Sequence, residues 1–92
     1  MNLKDLIDFI VRSLVDTPEA VDVRETLGDN VEIIEIVVAQ NDIGKVIGRE
    51  GRIANALRTI AKAAAAKSGR KVTVEILSRE EAAQRQTSSA TA

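Results

Sequence analysis

Two glycines set three residues apart, in Gly48-Arg49-Glu50-Gly51, constrain this chain more than any other feature. They form a bend between a short apolar segment and a long amphipathic one, inside the stretch DIGKVIGREGRIANALRTI that runs from Asp42 to Ile60. Glycine tolerates positive φ and leaves no β-carbon in the way of an approaching backbone. The segment after the bend has a helical period, and the unpaired N–H groups of a helix start attract anions. Lys45, Arg49 and Arg52 bring three cations to the same place. The expectation is a phosphodiester backbone lying against the bend.

The flanking segments fix the order of elements. Leu3, Leu6, Ile7, Ile10, Val11 and Leu14 recur at helical spacing, with Asn2 and Asp5 placed as a cap and its partner. Asp16-Thr17-Pro18 ends that helix. Phe9 falls off the centre of the stripe, as an edge-of-core residue or a partner contact. Val21, Val23 and Leu27 alternate with polar neighbours, Gly28-Asp29-Asn30 supplies a turn, and VEIIEIVV at 31–38 reads as a middle strand. Its face of Ile34, Ile36 and Val38 points to the core. The other face, Val31, Ile33, Glu35 and Val37, is too apolar to be simply solvated. It implies either a bulge near Ile33-Ile34 or cover by another segment or a partner.

Asn41 is placed to cap a short helix over residues 42–47. A long helix over 52–67 carries the stripe Ile53, Leu57, Ile60 and Ala64, with Arg52, Asn55, Thr59 and Lys62 opposite. A second strip, Ala54, Ala61 and Ala65, reflects helix propensity or a surface that another helix approaches closely. Ser68-Gly69 stops the helix. Residues 71–77 alternate again, with Val72, Val74 and Ile76 inward, and Ser78-x-x-Glu81 can cap one or two further turns. From Gln86 the chain is small and polar and is expected to be disordered. The order α-β-β-α-α-β predicts an α+β fold. A hairpin joins the first two strands, the last strand lies parallel to the middle one through a right-handed crossover, and three helices pack on one face of a three-stranded mixed sheet.

Composition narrows the chemistry. The chain has no His, Cys, Trp or Tyr, which removes Ser-His and Cys-His nucleophiles and zinc sites built on His or Cys. One phenylalanine cannot make a base-stacking platform. G-x-G-x-x-G and G-x-x-x-x-G-K-[ST] are both absent, which disfavours a nucleotide-binding enzyme. The carboxylate pairs Asp5/Asp8 and Glu80/Glu81 lie on solvated helix faces. No enzyme activity, cofactor or metal is expected. No apolar run nears the roughly 20 residues a membrane span needs. The start resembles no signal peptide, and the lack of cysteine fits the cytoplasm. Net charge is −1, yet residues 1–39 sum to −6 and residues 40–72 to +6. The cations therefore concentrate around the glycine bend.

This order, with the bend between two helices, resembles the KH domain. The residues that carry the likeness are Ile47-Gly48, the variable pair Arg49-Glu50, Gly51, and Ile53. The N-terminal helix and hairpin match the type II arrangement over residues 2–77. The domain is placed at 1–77, with 78–92 a short helical extension and tail. A free-standing unit with the run GKVIGREGRIANALRT and an alanine-rich helix is similar to the small bacterial KhpA family. The resemblance implies single-stranded RNA binding, the loop clamping the backbone of about four nucleotides. Gly48 and Gly51 would admit the backbone, Arg49 would contact phosphate, and Lys45 and Arg52 would flank its path. Ile43, Ile47 and an exposed edge of the middle strand would line the groove, with Gly44, Glu50 and Asn55 completing the contact set. Family membership also implies a homodimer and a larger Jag-type KH partner. Glu50 opposes a phosphate by roughly 1 kcal/mol, so weak, sequence-tolerant and salt-dependent binding is expected. The other reading is a protein-interaction module with weak or lost RNA binding, which suits the acidic N-terminal half and Glu50.

Overall fold

The computed structural model describes residues 2–91, with side chains through Arg85. Helix α1 (Leu3–Leu14) starts as its sequence predicts, the Asp5 N–H donating to Asn2 Oδ1 at 2.9 Å. Strands β1 (Asp22–Leu27) and β2 (Val31–Val38) form the hairpin, closed by the Gly28 N–H donating to the Val31 carbonyl at 2.8 Å. Helices α2 (Ile43–Ile47) and α3 (Arg52–Ala66) follow, then β3 (Lys71–Ser78) and α4 (Arg79–Thr91).

The sheet order is β1-β2-β3, with β2 antiparallel to β1 and parallel to β3. Alternation sends Ile34, Ile36 and Val38 of β2 and Val74 of β3 to one face. There they pack with Ile7 and Val11 of α1, Val46 of α2, and Leu57 and Ala61 of α3. Three helices on one face and a mixed three-stranded sheet are thus both present.

The β1–β2 register runs without interruption from Asp22↔Val37 to Leu27↔Glu32, so there is no bulge at Ile33-Ile34. At its Val37 end the second face of β2 is covered instead by α4, where Val37, Leu77 and Ala82 form a small separate core, while Val31 at the other end stays exposed. Arg85 of α4 reaches down to Glu75 and lies 3.6 Å from Glu35, two carboxylates paired across β2 and β3. The cap expected for α4 is present, the Glu81 N–H donating to Ser78 Oγ and the Ser78 N–H to Glu81 Oε1, each at 3.1 Å. The helix extends beyond the one or two turns expected. Its backbone runs on to Thr91, so helix replaces the disorder expected from Gln86 over residues 86–91, the side chains there lying outside the described residues.

The alanine strip faces inward. Ala54, Leu57, Ala61 and Ala65 are the buried residues of α3, while Ile60 is 38% exposed. The buried face of α3 therefore combines the alanine strip with Leu57 and Ile53 of the larger stripe and leaves Ile60 outside, the small residues letting the helix come close to the sheet. The strip is therefore unavailable to a second helix. Phe9 is 64% exposed and lies outside the core edge, and Leu27, at the end of β1, is also exposed. Asn41 lies in a 3₁₀ turn (Gln40–Asp42), and Asp42, rather than Asn41, precedes α2.

Candidate nucleic-acid interface

The glycine bend is held by the backbone and by one side chain. Helix α2 closes with the Gly48 N–H donating to the Gly44 carbonyl at 2.9 Å, and Gly51 N–H donates to the Gly48 carbonyl at 3.1 Å. Gly48 has φ 77°, and a β-carbon on it would stand 2.7 Å from Ile53 Cγ1. No real β-carbon sits that close, so glycine is required here for both its torsion and its size. Ile53 in turn packs against the main core, which ties the bend to the centre of the domain. Gly51 has φ 74°, and a β-carbon on it would make only an ordinary contact with Asn55 Nδ2 at 4.0 Å, so its torsion alone demands glycine. Between them Glu50 also takes a positive φ, 56°, which costs a side-chain-bearing residue about 1 kcal/mol.

The residues singled out in the sequence are all brought together, because they lie on one α2–turn–α3 unit. Ile43 is half-buried against the core, Ile47 is 36% exposed beside Val46, which is fully buried. A β-carbon on Gly44 would meet nothing within 4 Å, so internal packing gives no reason for glycine in that helix. Arg49, Glu50, Arg52 and Asn55 are exposed. Asn55 is oriented by Arg58, whose Nη1 donates to its Oδ1 at 3.3 Å. Arg49 and Arg52 take part in no ion pair among the described residues.

Lys45 differs from those two arginines. Its Nζ lies 3.1 Å from Asp16 Oδ2 and 3.9 Å from Asp42 Oδ1. The Asp42 carboxylate is buried and accepts the N–H groups of Asp16 at 3.1 Å and Thr17 at 3.0 Å, pinning the α1–β1 connection beside α2. Neither carboxylate stood out in the sequence. The Asp42/Lys45 spacing hints at a helical pair, but nothing local signals a contact with Asp16, 26 residues away.

The expected strand contribution also changes. β2 is hydrogen-bonded on both sides, to β1 and to β3, so it has no free edge to line a groove. The free edges belong to β1 and β3, and α2 packs against β3.

A cleft lies away from the bend, beside the C-terminal end of α3. It is lined by Asn2, Glu25, Glu32, Ser68 and Arg70 among others, and by no residue of the α2–α3 bend. Glu32 is buried on the core side there. A hydrogen bond with Glu25, burial and the Glu25 charge raise its pKa above the ordinary carboxylate value, against the opposing charge of Arg70. Among the described residues no group of His, Cys, Asp or Glu is arranged to hold a metal ion.

Comparison with known proteins agrees with this geometry. Residues 4–76 match the model of the KhpA/KhpB KH domain. A Clostridium perfringens protein named RNA-binding protein KhpA is 53% identical over 75 residues, covering 82% of this chain and 100% of that protein. Proteins of the same name from Borreliella burgdorferi and Chlamydia trachomatis are 51% and 44% identical, covering 79% and 82% of this chain and 89% and 96% of their own. Among solved structures, one of Era in complex with MgGDPNP and nucleotides 1506-1542 of 16S ribosomal RNA aligns with a TM-score of 0.56 at 22% identity. That alignment covers 83% of this chain but 29% of the Era chain, so it speaks for the fold alone.

Proposed function

The chain belongs to the KhpA/KhpB KH-domain family, and on that premise we propose that it binds single-stranded RNA through the α2–α3 bend. The observation that carries this reading is the pairing of Gly48 with Ile53. Contact with Ile53 at Gly48 and a positive φ at Gly51 keep β-carbons off both ends of the bend, where Arg49 and Arg52 have no ion-pair partner among the described residues. A phosphate can approach the backbone here, with two unengaged guanidinium groups to neutralise it. Ile47 offers apolar surface to a base, Asn55 offers a polar group held in place by Arg58, and the space above Gly44 is open. The sequence tolerance of such a site follows from contacts that go mainly to the backbone.

We take residues 1–77 as the RNA-binding unit and 78–92 as an extension, of which Ala82 packs on the back of the sheet. The role is binding rather than catalysis, in the post-transcriptional handling of RNA in the cytoplasm. Among the described residues no helix is long and apolar enough to cross a membrane. We further read the chain as pairing with itself or with a larger Jag-type KH protein. Exposed Ile60 on α3, flanked one turn away on each side by the exposed Ala56 and Ala63, supports such pairing in place of the buried alanine strip.

Fluorescence anisotropy with labelled single-stranded RNA over a salt series tests the proposal. Affinity is expected to fall as salt rises and to drop further in Arg49→Asp. Absence of binding at low salt would leave the fold with an interaction role only.

A further inference from the structure

We propose that Asp16 competes with RNA phosphate for the Lys45 ammonium, so that this chain tempers its own RNA affinity. The inference rests on the RNA-binding reading above and assigns a regulatory contact within that same site.

Lys45 leaves α2 three residues before Gly48, and of Lys45, Arg49 and Arg52 it alone is ion-paired among the described residues. Its two carboxylate partners are unlike. Asp42 is 1% exposed, and each of its oxygens already accepts a backbone N–H, from Asp16 and from Thr17. Asp42 is therefore committed to structure. The Asp16 side chain is 77% exposed, and the described contacts of its carboxylate are those to Lys45. By fixing the backbone of Asp16 and Thr17, Asp42 sets the Asp16 carboxylate at 3.1 Å from the ammonium.

The chemistry at Lys45 is an exchange of one anion for another. A phosphate at the bend gains Lys45 only by displacing Asp16, and the displaced carboxylate stays tethered nearby. An exposed ammonium–carboxylate pair is weak, so the exchange is easy, but the net charge neutralised on the RNA is smaller than three cations would suggest. Arg49 and Arg52 give the basal affinity, and Asp16 sets how far Lys45 adds to it.

The test compares wild type, Asp16→Asn, Lys45→Gln and the double variant by anisotropy with labelled oligouridine at low and near-physiological salt. Glu19→Gln, removal of another exposed carboxylate on the same connection that makes no ion pair with Lys45, serves as the control. Asp16→Asn is expected to bind about two- to fivefold tighter at low salt, with a salt slope steeper by about 0.7. In the Lys45→Gln background the same change should give no gain beyond that of Glu19→Gln. Equal affinity of Asp16→Asn and wild type overturns the proposal, and so does a gain that persists without Lys45. Where wild type binds and Arg49→Asp weakens it, those outcomes sink the Asp16 proposal alone. Absence of binding by every variant sinks the RNA reading with it.

Discussion

Ile53 Cγ1 stands 2.7 Å from the place that a β-carbon on Gly48 would occupy. This contact joins the exposed bend to the buried core, since Ile53 packs on the cluster that holds Leu57 and Val46. Replacing Gly48 by alanine adds a clash to an unfavourable torsion. Gly48→Ala is expected to destabilise the fold by about 2 kcal/mol and to abolish RNA binding. Urea unfolding measures the first and anisotropy the second. Combined with Ile53→Ala the two losses should be less than additive, because the clash is gone while the torsional part and the lost Ile53 packing remain.

Gly44 calls for the opposite result. It lies in α2, where glycine is a poor helix former, and a β-carbon there meets nothing in the chain. Gly44→Ala should stabilise the protein by about 0.5–1 kcal/mol and yet weaken RNA binding, because the open space faces the proposed ligand. A rise in both stability and affinity would show that the space serves no ligand.

Much of this bend was legible because its signals are local. Spacing gave two glycines, flanking helices and clustered cations without reference to the rest of the chain. The Asn2 and Ser78 caps and the strand alternation were readable for the same reason. The alanine strip of α3 was misread because the sequence offers two apolar stripes, and only the sheet beneath decides which residues of each are buried. The contacts of Asp42 and Asp16 with Lys45 join segments far apart in the chain, so no spacing rule reveals them. Cover of Val37 by α4 was one of two alternatives, and the uninterrupted register of β1 on β2 decided between them.

The far end of the sheet predicts a pH dependence. The raised pKa of Glu32, due first to its hydrogen bond with Glu25, means that the folded state holds a proton more tightly than the unfolded chain. The associated stability is fully present below the ordinary carboxylate pKa and is lost as pH rises through the raised value. Glu32→Gln keeps a neutral hydrogen-bonding group at all pH and should gain about 1 kcal/mol at neutral pH relative to wild type. Thermal unfolding between pH 4 and 7 checks this, and the advantage should shrink toward the acid end.

The apolar contact at the back of the sheet turns on a small residue of α4. Ala82 covers Val37 and Leu77, and α4 lies wholly beyond the segment that matches the family model. Ala82→Asp would bury a charge against two apolar side chains and should release α4, costing about 1–3 kcal/mol. Hydrogen exchange should then show α4 amides unprotected, while RNA affinity stays unchanged, because α4 lies on the sheet face opposite α2 and α3.

Chemical-shift mapping by heteronuclear NMR tests the central claim most directly. Titration of the ¹⁵N-labelled chain with a single-stranded oligonucleotide should move the amides of Ile43 to Asn55, most strongly Gly48 to Gly51, and leave those of α4 in place. Shifts confined to the back of the sheet, or to the cleft at Glu25 and Glu32, would contradict the assignment of the bend as the RNA site.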